Sequence, residues 1–98
     1  MNEQLNEAVA ALRPEMVAAL QRLVRKQSVE APELPGKPFG EAVDACYTEA
    51  LTLCQELGFE TTDLDRYIGW CEIGSGDEMV AVLGHLDVVP EGEGWHHP

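Results

Sequence analysis

The sequence predicts an α/β chain of two main helices followed by three short strands, an incomplete layer arrangement with too few strands to close a sheet. Three observations carry this. Apolar residues recur at three- and four-residue steps up to Leu57, the period of a helix face. Beyond Gly58 the pattern changes to short β-branched and aromatic runs set off by turn residues. The last apolar run, "MVAVLGHLD", is continuous from Met79 to Leu83, so it calls for cover on both faces that the preceding segments are too few to provide.

Taken in order, the first helix is marked by Leu5, Val9, Leu12, Met16, Leu20, Leu23 and Val24. Pro14 interrupts that stripe, and a proline inside a helix loses a hydrogen bond and clashes with the preceding turn. The expectation is a break or kink near Arg13, with the stronger helix running from about Pro14 to Lys26. "SVEAPELPGKPFG", Ser28 to Gly40, is an irregular connection rich in proline and glycine. Pro38 is placed to open the second helix, whose apolar stripe is Val43, Cys46, Tyr47, Ala50, Cys54 and Leu57. Gly58 stands where a left-handed C-terminal cap belongs. "FETTDLDRYIGWCEIG" reads as a short strand, a turn near Asp65 and a second strand from about Tyr67 to Ile73. "GSGDE" is a turn by composition, and the third strand, Met79 to Leu83, is the buried one.

Ninety-eight residues make at most one small domain, and 45% apolar content is too high for a disordered chain. Eighteen acidic residues against six basic ones give a formal charge of −12, which opposes binding to nucleic-acid phosphates or anionic membranes. "MNEQLNEAVAALRPEM" has no basic segment followed by an apolar core, so a secretory signal is not expected, and no run is long enough to span a membrane. The three cysteines, Cys46, Cys54 and Cys71, lack CxxC spacing. They read as reduced thiols, small buried apolar residues of a cytoplasmic protein rather than zinc ligands.

The candidate site lies at the end of the third strand. Ligand sites in open α/β sheets gather at the carboxyl ends of strands, and side chains two apart in an extended segment point the same way. His85 and Asp87 are therefore candidates to face one site together. A metal-bound imidazole usually gives its other N–H to a carboxylate or carbonyl, which fixes its tautomer. On spacing alone, an ordinary strand-end histidine is the favoured reading over a metal ligand, because an HxD step is common by chance. His96 and His97 are adjacent and diverge in most backbones, so they read as solvated. Trp70 and Trp95 read as packing residues, and Glu41, Asp44, Glu49 and Glu56 as the solvated face of the second helix.

"GHLDVVPEGEGW" resembles the first metal-site motif of the zinc-dependent dipeptidase and deacylase family, which includes carnosinase-type dipeptidases, aminoacylase-type enzymes and succinyl-diaminopimelate desuccinylase. Within that family the chain looks most like the bacterial dipeptidase V type. The "KPFG" opening, the helix ending "LGFET", the "YIGW" strand and the "LGHLDVVP" strand fall in the expected order, so the resemblance covers nearly everything from about Leu5. It implies that His85 binds one of two zinc ions and that Asp87 is the catalytic aspartate orienting the metal site. Trp95 and Pro98 match the family's "GW, two variable residues, P" pattern, which leaves His96 and His97 at variable positions.

The same resemblance implies that residues 1–98 are the N-terminal piece of a mixed-sheet zinc-peptidase catalytic domain. The remaining ligands, a glutamate general base and a lid domain would lie further along a longer, truncated chain. The implied activity is hydrolysis of dipeptides with a free N-terminus, with manganese or cobalt as alternatives to zinc. In that chemistry a metal-bound water attacks the carbonyl while the glutamate moves the proton. An N-acyl amino acid deacylase, such as a desuccinylase, is the alternative within the family. A non-catalytic, stand-alone binding module is the alternative outside it. The 98 residues by themselves are expected to be inactive and to self-associate through exposed strand edges.

Overall fold

Asn2 opens the first helix. Its side-chain oxygen accepts from the Gln4 amide at 2.7 Å, satisfying one of the donors that a helix start leaves free. A computed structural model describes residues 2–97, and in it α1 runs unbroken over Glu3–Val24. The break expected near Arg13 does not occur: Pro14 sits inside the helix. A proline there costs about 3 kcal/mol. The chain around it is rich in strong helix formers (Ala8, Ala10, Ala11, Leu12, Met16, Ala18, Ala19, Leu20), and Ala10, whose carbonyl the ring displaces, faces water. The apolar stripe of α1 is real but uncovered. Leu5, Val9, Leu12, Met16, Leu20 and Val24 are all exposed, and no described residue of this helix is buried.

Only the C-terminal end of α1 is docked. Arg22 Nε donates to Glu49 Oε1 at 2.8 Å, and Arg22 also pairs with Glu56. Beside them the buried Cys46 thiol faces the Leu23 carbonyl at 3.9 Å. The neighbouring carboxylates hold the Arg22 guanidinium above its ordinary pKa, first through the bond to Glu56 and then through that to Glu49. Glu49 and Glu56 are thus cross-helix partners rather than the solvated face expected of them, and Asp44 is likewise paired, with Arg66. Glu41 alone of the four keeps that role, 77% exposed and 3.8 Å from Lys37 Nζ.

The second helix, α2, spans Glu41–Glu56 and starts three residues later than Pro38 suggests. Pro38 instead sits in a turn held by reciprocal Leu34–Lys37 backbone bonds and by the Gly40 amide on the Lys37 carbonyl. The other end is as expected. Gly58 adopts φ 92°, its amide donates to the Gln55 carbonyl, and the Phe59 amide reaches back to the Cys54 carbonyl. This is a Schellman cap, which requires a left-handed residue at that point.

The strands β1 (Glu60–Leu64) and β2 (Ile68–Glu72) pair antiparallel, with Thr61 opposite Cys71 and Asp63 opposite Gly69. Asp65 and Arg66 both take positive φ, and the Tyr67 amide donates to the Leu64 carbonyl, as in a primed hairpin turn. One face of this hairpin lies against α2.

The third strand is not formed. Among the described residues the sheet has two strands, and the segment expected to be the most buried is the most exposed, with Val80 at 95%, Val82 at 97% and Leu83 at 92%. An extended segment becomes a strand only when a neighbour accepts its ladder bonds. Gly74 and Gly76, both at positive φ, lead the chain away from β2, so no edge lies beside residues 79–83. The consequence is visible in size. A folded chain of 10.8 kDa exposes about 5,500 Å², whereas this one exposes 8447 Å². Its radius of gyration is 16.1 Å, against about 13 Å for a compact domain of this length. Val43, Cys46, Ser28 and Gly40 are the buried residues among those described. Within that same set no helix is long and apolar enough to cross a membrane.

Candidate functional site

Residues 84–88 are held by a short latch. Ser28, buried, donates its hydroxyl to the Leu86 carbonyl at 2.7 Å, and the Val88 amide donates to the Ser28 carbonyl at 3.0 Å, closing a parallel bridge between Val29 and Val88. This fixes Leu86, and His85 and Asp87 stand on either side of it. His85 Nδ1 lies 3.0 Å from the Asp87 carbonyl oxygen and 3.2 Å from Asp87 Oδ1. When Nδ1 carries the proton it donates to Asp87, and Nε2 is left with a free lone pair. Both side chains are open to water, 80% and 53% exposed.

They form one wall of a cleft of about 370 Å³. The opposite wall is a network that the motif reading missed. Arg66 Nε donates to Asp44 Oδ1 at 2.8 Å, and its Nη2 donates to Thr48 Oγ1 at 2.6 Å and to the Asp44 carbonyl at 3.3 Å. The guanidinium stacks 4.5 Å from the Tyr47 ring centroid. Tyr47 in turn donates to Asp63 Oδ1 at 2.6 Å, and the same oxygen accepts from the Arg66 amide at 3.0 Å. The bond to Asp44 raises Arg66 above its ordinary pKa. Burial, then the bond to Asp63, pushes the Tyr47 hydroxyl up to about 12, while the Tyr47 bond holds Asp63 below the usual carboxylate range. Phe39 and Tyr67 meet edge-to-face at 5.6 Å on the rim. Two signals for this network were in the sequence: Asp44, Tyr47 and Thr48 share one helix face at i, i+3 and i+4, and Arg66 is the single Lys or Arg after Lys37.

Among the described residues no three or more His, Cys, Asp or Glu side chains converge as a metal cage. A zinc site needs three or four protein ligands. The described residues therefore do not by themselves fit a bound zinc ion; they supply one imidazole and its carboxylate neighbour. His96 is exposed, as is His97. Pro98, the last residue of the motif, lies outside the described residues. Trp70 and Trp95 do not pack as expected: they are 44% and 68% exposed, and Trp95 Nε1 donates to the Glu91 carbonyl at 2.7 Å. The cysteines are free, but only Cys46 is the buried apolar residue expected; Cys54 is half-buried and Cys71 exposed.

Comparison with known proteins gives a consistent direction. Over 83 residues, 83% of this chain, it is 45% identical to the "Putative dipeptidase YtjP" of Bacillus subtilis. Over 97 residues it is 31% identical to the "Beta-Ala-Xaa dipeptidase" of Lactobacillus delbrueckii subsp. lactis. Over 70 residues it is 43% identical to the "Putative dipeptidase SH1171" of Staphylococcus haemolyticus. The chain is homologous to these dipeptidases. It spans only about a fifth of the first two relatives, 18% and 21%, and 14% of the third. No protein-family model matches it, and no solved structure matches it significantly.

Proposed function

We propose that this chain is the N-terminal part of the catalytic domain of a metal-dependent dipeptidase, in which His85 is one metal ligand and Asp87 is the carboxylate that sets its tautomer and orientation. The observation that carries the reading is the His85 Nδ1 to Asp87 contact at 3.2 Å, inside "GHLDVVPEGEGW", in a chain homologous to dipeptidases. Relatives named as dipeptidases support peptide hydrolysis over deacylation. In this reading a pair of zinc ions, or manganese or cobalt in their place, supplies the activated water, and residues outside this stretch supply the remaining ligands. The contribution of this chain is positional: Asp87 holds Nδ1, and the cleft between His85 and Arg66 receives part of the dipeptide. The protein is read as cytoplasmic, with no nucleic-acid or membrane partner, in line with its charge of −12.

The test is a chimera in which this chain replaces the matching stretch of the Bacillus subtilis relative. The chimera should hydrolyse dipeptides and bind metal. His85→Ala should lower both metal content and turnover, while Asp87→Asn should lower turnover with the fold retained. A soluble His85→Ala chimera with full metal content and full turnover would overturn the assignment.

A further inference from the structure

The face of β2 that looks at α2 is identified by two contacts. A Cβ placed on Gly69 would stand 2.9 Å from Tyr47 Cζ, and Thr61, the cross-strand partner of Cys71, accepts from Gln55 Nε2 at 2.8 Å. Gly69 and Cys71 are two apart on one strand and so share that face. On α2, Cys54 follows Tyr47 by two helical turns and precedes Gln55 directly. The helix therefore brings Cys54 over the strand position of Cys71. Cys54 is half-buried and Cys71 opens to water, while Cys46 is buried against the Leu23 carbonyl, away from both.

We propose that Cys54 and Cys71 are a redox-active dithiol that is oxidised to an intramolecular disulfide by a low-molecular-weight disulfide such as glutathione disulfide. Exposure assigns the roles. The Cys71 thiolate attacks one sulfur of glutathione disulfide; that S–S bond breaks, and one glutathione leaves as its thiolate. Cys54 then loses its proton to solvent and attacks Cys71 Sγ of the mixed disulfide, expelling the second glutathione thiolate. Two protein thiols lose two electrons in total, and one glutathione disulfide becomes two glutathiones. Burial, then the neighbouring Cys71 thiol, pushes the Cys54 thiol up to about 11, so Cys54 is not the first nucleophile. In the mixed disulfide the Cys71 thiol that contributes to that shift is gone, and attack by Cys54 is driven by its proximity to Cys71 Sγ. The bond would tie the C-terminal turn of α2 to the hairpin that carries Arg66, and so stiffen the wall of the cleft opposite His85.

The experiment equilibrates the chain in glutathione buffers of increasing oxidising ratio, traps free thiols by alkylation under denaturing conditions and maps the products by mass spectrometry. The expected product is a Cys54–Cys71 cross-link with Cys46 alkylated, and a melting temperature raised by on the order of 10 °C. Cys54→Ser should stop at one glutathione on Cys71. Cys71→Ser should take up glutathione at least tenfold more slowly. A mixed disulfide that persists on Cys71 with Cys54 free in the unsubstituted chain would overturn the proposal, as would a Cys46 cross-link or disulfide-linked dimers as the main product. Because the readout is covalent chemistry and not turnover, its failure leaves the dipeptidase reading untouched.

Discussion

Tyr47 lies close over Gly69, where a side chain would have no room, and that approach makes a quantitative prediction. A Cβ at position 69 would lie 2.9 Å from Tyr47 Cζ and 3.0 Å from Cε2. Ordinary carbon contacts sit at about 3.5–4.0 Å, so in Gly69→Ala the ring must retreat by roughly 0.5–1 Å. That retreat pulls the hydroxyl from Asp63, now 2.6 Å away, and draws the ring from under the Arg66 guanidinium. Overpacking of this kind costs about 1–3 kcal/mol. At about 4–8 °C per kcal/mol for a domain of this size, the loss is readable in a thermal melt followed by far-ultraviolet circular dichroism. The control is the same substitution in a Tyr47→Ala background. There the space is open, and Gly69→Ala becomes neutral or stabilises by about 0.4–1 kcal/mol, because it restricts the unfolded chain. The four melts form a double-mutant cycle with a coupling of about 1 kcal/mol or more. An equal cost of Gly69→Ala in both backgrounds would refute the packing argument.

Three further outcomes are expected. The purified 98-residue chain releases no amino acid from a panel of dipeptides with or without zinc, and calorimetry shows weak zinc binding that hardly changes in His85→Ala; tight stoichiometric binding lost in that variant would show a site formed without further ligands. Light scattering finds the isolated chain larger than a monomer, and Val82→Glu shifts it toward monomer; a clean monomer at high concentration contradicts this. Alkaline stability depends on Tyr47. Its folded-state pKa is raised from 10 to about 12, so its contribution is complete below pH 10 and disappears as pH rises toward 12, and Tyr47→Phe should flatten that part of the profile.

Local signals are legible in the sequence where the chain supplies its own partners. The α2 stripe, the Gly58 cap and the hairpin around Asp65 all form, because each is closed by contacts within a few residues or with the adjacent element. Pro14 does not end α1: a single breaker in an exposed helix rich in strong formers costs energy without stopping the helix. The pairing of the acidic residues of α2 is not legible locally, because periodicity shows which face they share but not that Arg22 and Arg66 arrive from elsewhere to meet them. His85 and Asp87 were singled out by their spacing, and they do stand together. Arg66 and Tyr47 were not, since nothing local in "TTDLDRYIG" says that its arginine reaches back across to α2.

The third strand failed for a different reason, and that reason bears on the site. A continuous apolar run is a statement about surroundings, not about the backbone of the run itself. Met79 to Leu83 carries side chains suited to burial, yet no described residue offers a ladder or a covering face. The approach to His85 from its N-terminal side is therefore held by nothing. On the C-terminal side it is held by the Ser28 latch at Leu86 and Val88. A ligand must be fixed to within a fraction of an ångström to hold a metal well. His85, 80% exposed, is restrained here mainly by Asp87. If His85 is a ligand as proposed, cover over residues 79–83 and completion of its site are one requirement: whatever pairs with that segment also steadies the histidine at its end.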